Sequence, residues 1–160
     1  MKASFLRFLG AAGIIVVILA GPVDGAVPAG HYVVTAGSGT GGGIVYDTKS
    51  NLTWQQTVSS TTYTWVDAKT YCGGVGTSLG GTGWRLPTIK ELQSIVDLSQ
   101  ITAPYVDPTA FPSTPSNQFW SSSPATPAAG SSGYAWFVYF NYGYNGYGGV
   151  SNTYSVRCVH

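Results

Sequence analysis

Cys72 and Cys158 are the only two cysteines of this 160-residue chain. Joined, they close a loop around the whole C-terminal half and leave few ways of arranging it. Whether they join depends on the compartment, and the N-terminus bears on that. Lys2 and Arg7 flank the start of an apolar run, Phe8 to Val23, interrupted by Gly10, Gly13 and Gly21-Pro22. The run is shorter than the roughly 20 residues that span a bilayer, and small residues surround Val23-Asp24-Gly25-Ala26. These features predict a secretory signal peptide over residues 1–25, cleaved after Gly25 or Ala26; a retained anchor is the alternative. Export places the mature protein in a secreted, periplasmic or cell-surface setting, with no membrane span after cleavage. Both cysteines then meet oxidising conditions. One bridge is expected, worth about 4–5 kcal/mol on the chain-entropy model, with two free thiols as the alternative.

Charge narrows the partners. Charged residues make up 8% of the chain, against roughly 25% in an average domain. Beyond residue 25 there are five basic side chains (Lys49, Lys69, Arg85, Lys90, Arg157) and five acidic ones (Asp47, Asp67, Glu91, Asp97, Asp107), so the mature net charge is zero. Nucleic acid is excluded as an expected partner, because phosphate binding needs clustered Lys and Arg. Such low charge with 22 Gly can accompany disorder, but 5 Trp, 11 Tyr and 6 Phe supply a core.

The punctuation along the chain predicts a loop-rich α+β domain. A Gly-rich N-terminal segment, residues 26–43, carries a short strand at Tyr32-Val33-Val34 and then the flexible run Gly37 to Gly43. Ile44-Val45-Tyr46 and Leu52-Thr53-Trp54-Gln55 read as a hairpin around Asp47 to Asn51. Trp65, Ala68 and Cys72 recur at helical spacing behind a possible Thr64 cap. Thr88-Ile89-Lys90-Glu91 is a capping box, followed by Leu92, Ile95 and Val96 on one face. Ser121 to Gly133 reads as a loop and Ala135 to Tyr142 as a two-sided strand. Asn145-Gly146 suits a tight hairpin turn, and Tyr154 to Val159 reads as a final strand.

Apparent catalytic motifs fail their context. Gly76-Thr77-Ser78-Leu79-Gly80 has the spacing of a nucleophile elbow, yet glycines flank it where a strand and helix are required. His31 and His160 are the only mature histidines, one at each end. Gly37, Gly39 and Gly42 match a dinucleotide fingerprint but lead into a strand instead of a helix. Glu91, Asp97 and Asp107 have capping, surface and turn readings. Two Cys committed to a bridge leave no zinc set, and no calcium loop is present. No catalytic residue, metal or cofactor is expected.

The residues do carry a resemblance. Val45-Tyr46-Asp47, Leu52-Thr53-Trp54-Gln55, Thr64-Trp65 and Tyr71-Cys72 recur in order in a bacterial pattern. Trp84-Arg85-Leu86-Pro87-Thr88 with Lys90-Glu91-Leu92, Val106-Asp107-Pro108, Phe111-Pro112, Phe119-Trp120-Ser121-Ser122, Ala135-Trp136 and Val156-Arg157-Cys158-Val159 continue it. Together they resemble the Lcl C-terminal domain family over residues 44–160. That resemblance implies a C-type-lectin-like fold: two helices, a small twisted antiparallel sheet and a long loop region. Trp84, Trp120 and Trp136 are then expected in the core, with Arg85 buried beside them.

For function the resemblance implies little. The family's namesake is a surface adhesin whose C-terminal domain binds sulfated glycans, whereas a net-neutral domain suits polyanions poorly. The Glu-Pro-Asn, Gln-Pro-Asp and Trp-Asn-Asp sets of calcium-dependent lectins are missing, and no cysteine is spare for formylglycine-generating chemistry. The expectation is a non-catalytic binding module for adhesion to, or recognition of, an extracellular glycan or surface protein. A structural subunit of an envelope or filament assembly is the second reading, an enzyme the third, and oligomers are possible. The expected binding residues are Tyr142, Tyr144, Asn145, Tyr147 and Asn152, set around a glycine hairpin tip that is unable to bury three rings. The alternative has these tyrosines folding back as a satellite cluster.

Overall fold

The computed structural model describes residues 30–37, 42–127 and 132–160. The expected signal peptide and part of the Gly-rich run lie outside the described residues. The architecture is α+β, built on two three-stranded antiparallel sheets where one was expected.

The first sheet has strands β1 (Tyr32–Thr35), β2 (Ile44–Asp47) and β3 (Leu52–Gln55), in that order. Asp47 makes the β2–β3 turn. Its carboxylate accepts from the Lys49 and Ser50 amides and the Ser50 hydroxyl, and Asn51 completes the turn at φ 58°. Burial opposes the Asp47 charge, but these hydrogen bonds and nearby His31 outweigh it and hold the carboxyl below its usual range.

Two capped helices follow. Helix α1 (Trp65–Gly74) starts at Thr64, whose hydroxyl accepts from the Asp67 amide, and buries Ala68 and Cys72. A one-turn helix, α2 (Gly76–Leu79), stands where the sequence suggests a glycine loop. Helix α3 (Ile89–Ser94) opens with the full Thr88/Glu91 capping box. It stops two residues before the end of its apolar face at Val96, although Ile95 is still buried.

The second sheet is ordered β4 (Gln118–Ala125), β5 (Tyr134–Tyr139) and β6 (Tyr144–Gly149). Three expectations are corrected here. Ser121 to Ala125, read as loop, extend edge strand β4 past an irregularity that admits Pro124. The β5–β6 turn is made by residues 140–143, so Asn145-Gly146 lie inside β6, opposite Val138 and Phe137. The final strand is instead an irregular segment held by isolated bridges, Tyr154 to Tyr63, Ser155 to Phe119, and Val159 to both Trp54 and Arg85.

Alternation places a different apolar cluster on each face of the second sheet. Phe119 and Val138 pair across β4–β5 and join Trp54, Leu92, Phe111 and Phe140. The neighbouring pair, Trp120 and Phe137, faces the other way to meet Ala68, Cys72, Trp84 and Cys158. Cys72 and Cys158 are bonded, with Cα atoms 5.4 Å apart and a sequence separation of 86.

Trp84 and Trp120 are core residues as expected, whereas Trp136 is only half-buried. Arg85 is not buried: its side chain is 46% exposed and forms a two-point pair with Glu91 at 2.8 and 2.7 Å. The fully buried arginine is Arg157. The end of β3 and the Thr114 loop close around it.

Cys72→Ser in exported protein is expected to lose about 4–5 kcal/mol, read as a lower denaturant midpoint; free thiols in the native protein by mass spectrometry contradict it. A second prediction concerns acid. Arg85 and the Thr88 amide and hydroxyl hold Glu91 from 4.5 down to about 2. A carboxylate depressed in the folded state stabilises fully above its unfolded value and loses that effect as pH falls toward its folded one. The stability difference between wild type and Glu91→Gln, which keeps the cap, is therefore present at neutral pH. It should shrink from pH 4.5 to about pH 2; a difference independent of pH contradicts this.

Candidate functional site

Turn residue Gly143 has φ 69°, a conformation that favours glycine, and a Cβ there would lie 2.5 Å from Leu98 Cδ2, so any other residue strains the turn and pushes that exposed side chain aside. This turn sets the register that distributes the tyrosines. Tyr144 pairs with Tyr139, and Tyr147 with Trp136. Three positions apart on a regular strand, Tyr144 and Tyr147 project from opposite faces.

The ring contacts follow that division. Tyr142 and Tyr144 each meet Tyr139 edge-on, at 5.1 and 5.7 Å, and lie nearly parallel to each other at 6.0 Å. Tyr147 instead meets Tyr134 and Trp136 edge-on, at 6.0 and 5.8 Å. The tyrosines expected to form one tip thus form two aromatic groups. Tyr142, Tyr144 and Tyr147 are 62%, 50% and 49% exposed. Asn145 and Asn152 are exposed as well, with Asn152 Nδ2 donating to the Tyr154 hydroxyl.

The β6 glycines have a packing role that the turn reading missed. A Cβ on Gly146 would approach the Phe137 ring to 2.7 Å, and one on Gly148 the Tyr154 hydroxyl to 2.6 Å. Phe137 and Tyr154 lie over the strand at these points and contact each other edge-on. Gly146→Ala should cost about 1–3 kcal/mol through overpacking, measured by chemical denaturation. A tip residue tolerates the same change, so an unaltered midpoint sinks this assignment.

A second feature escaped the sequence reading altogether. Thr62, Tyr63, Thr64, Asp67, Thr70, Tyr71 and Thr153 line a shallow groove of about 510 Å3 at the start of α1. Tyr63 and Tyr71 stack at 4.7 Å beneath it. Only the spacing Tyr63, Asp67, Thr70 and Tyr71 hinted at a shared face; Thr153 arrives from the far end of the chain.

The remaining chemistry-bearing side chains have structural partners. Ser78 Oγ donates to the Val75 carbonyl, and His31 Nε2 lies 3.0 Å from Asp47 Oδ1. Asp97 accepts from the Ser99 amide, and Asp107 from the Thr109 and Ala110 amides, each closing its own turn. Lys69 Nζ sits 3.1 Å from the Trp65 ring centroid. Among the described residues no group of three or more His, Cys, Asp or Glu side chains gathers to hold a metal ion.

The family model described as the Lcl C-terminal domain matches residues 43–160, and the chain belongs to that family. No curated protein matches the chain.

Proposed function

We propose that this member of the Lcl C-terminal domain family is an exported, non-catalytic module that binds an extracellular glycan or surface protein. The carrying observation is the Tyr139–Tyr142–Tyr144 group. Two rings stand largely in solvent on a turn whose backbone is held by Gly143 against Leu98. Tyrosine has an apolar face and a hydroxyl tip and loses little conformational freedom on binding, which suits contact with a sugar ring or a protein. Fixing the rings in advance lowers the ordering cost of contact. Asn145 and Asn152 add neutral hydrogen-bonding groups nearby.

Export is supported by the disulfide, and no helix among the described residues is long and apolar enough to cross a membrane. Two capped helices, small antiparallel sheets and the irregular stretch between α3 and β4 support a C-type-lectin-like assignment.

Tyr142→Ala/Tyr144→Ala should keep a cooperative melt and lose at least about tenfold in binding on a glycan array or to the producing cell surface, while Tyr147→Ala, on the other face, changes binding little. A folded double variant that binds like wild type removes this surface from the function. A wild type that sediments as a large assembly, dispersed by the double variant, makes the tyrosines an assembly contact and favours the structural-subunit reading.

A further inference from the structure

The groove at the start of α1 shares no residue with the hairpin. Its volume, about 510 Å3, falls in the roughly 300–1,000 Å3 range of small-molecule sites. Its walls are held from behind. Tyr63 exchanges both backbone hydrogen bonds with Tyr154, and its carbonyl also accepts from Trp120 Nε1. Thr64 is fixed as the helix cap.

Tyr71 is oriented more closely still. The Cys158 amide can only donate, so it takes Gln55 Oε1 at 3.2 Å. That turns Gln55 Nε2 toward the Tyr71 hydroxyl at 3.0 Å. The Tyr71 oxygen is therefore the acceptor, and its own O–H has no acceptor among the described residues. Asp67 uses Oδ2 for the Thr64 hydroxyl, at 2.7 Å, leaving Oδ1 open. The hydroxyls of Thr62, Tyr63 and Thr153 likewise have no hydrogen bond among the described residues. Hydrogen-bonding groups with spare capacity thus stand around stacked tyrosines, and the single charged group on the lining is a carboxylate.

We propose that this groove binds the neutral pyranose unit of an uncharged glycan. Tyrosine rings match the C–H face of a pyranose, while the Thr62 and Thr153 hydroxyls, the Tyr71 O–H and Asp67 Oδ1 match its hydroxyls. Asp67, with no lysine or arginine on the lining, disfavours sulfated or carboxylated sugars. The inference rests on the binding-module reading but not on the hairpin.

Amide NMR spectra of the mature protein, titrated with maltohexaose, cellohexaose, chitohexaose, mannohexaose and a heparin hexasaccharide, test it. At least one neutral hexasaccharide should shift the Thr62–Thr64, Tyr71 and Thr153 amides, and heparin should not. Tyr71→Phe removes one hydroxyl and Thr153→Val one with no internal bond to lose. Each should weaken that binding about three- to tenfold, one hydrogen bond's worth, with Thr153→Val leaving the melting temperature unchanged. Groove shifts with heparin, or none with any neutral sugar, overturn the proposal. Shifts confined to Tyr142 and Tyr144 overturn it while upholding the hairpin reading, and shifts at neither place overturn it while leaving the hairpin a protein partner, which binding to the producing cell surface tests.

Discussion

The fold depends on a buried arginine with no carboxylate beside it. Arg157 is fully buried, and leaving such a charge unsatisfied would cost several kcal/mol. Nη1 donates to the Gln55 and Gln56 carbonyls at 2.8 and 2.7 Å, and Nη2 to the Thr114 hydroxyl at 2.6 Å. The guanidinium carbon also lies 4.5 Å from the centre of the Phe111 ring. Desolvation pulls Arg157 down to about 9, still above neutral pH, so the charge persists and its acceptors must stay in place. Three distant stretches, the end of β3, the Thr114 loop and the C-terminal segment, are thereby held in one arrangement.

The disulfide completes that arrangement from the next residue. Arg157 binds the end of β3, while Cys158 is bonded to Cys72 of α1, so adjacent residues tie the last segment to two separate elements. The edge hydrogen bonds of Val159 with Arg85, and of His160 with Thr53, are possible because that segment has nowhere else to lie. Through Gln55, which receives the Cys158 amide and holds the Tyr71 hydroxyl, the same anchor reaches the wall of the groove. Core and candidate site are consequently not independent.

The surface follows from having few charges. Without many ions, solubility falls to hydroxyls, amides and tyrosine tips, and aromatic rings remain outside where lysine or glutamate would ordinarily stand. On β5 and β6 the period of two divides these rings between faces, so the domain presents separate aromatic surfaces instead of one tip. The groove adds a third surface, concave and lined by hydroxyls.

Features whose partners are near in the chain, or unique in it, were legible without the fold. Thr64 and Thr88 cap helices by bonding amides three residues away, Asp47 closes a turn within its own hairpin, and two cysteines have only one way to pair. Family membership was legible for a related reason, since a long ordered set of Trp, Pro and Cys positions does not depend on geometry. Tertiary structure alone decided matters in which local chemistry is degenerate. Asn145-Gly146 has the composition of a turn, but Phe137 needs a bare backbone to lie on, and that contact draws Gly146 into β6 and moves the turn to Gly143. Arg85 and Arg157 both stand among apolar neighbours in sequence; one meets Glu91 at the surface and the other meets carbonyls in the core. Thr153 and Tyr71 form one groove only after the chain end is drawn onto α1, because side chains that far apart acquire a common surface only through packing.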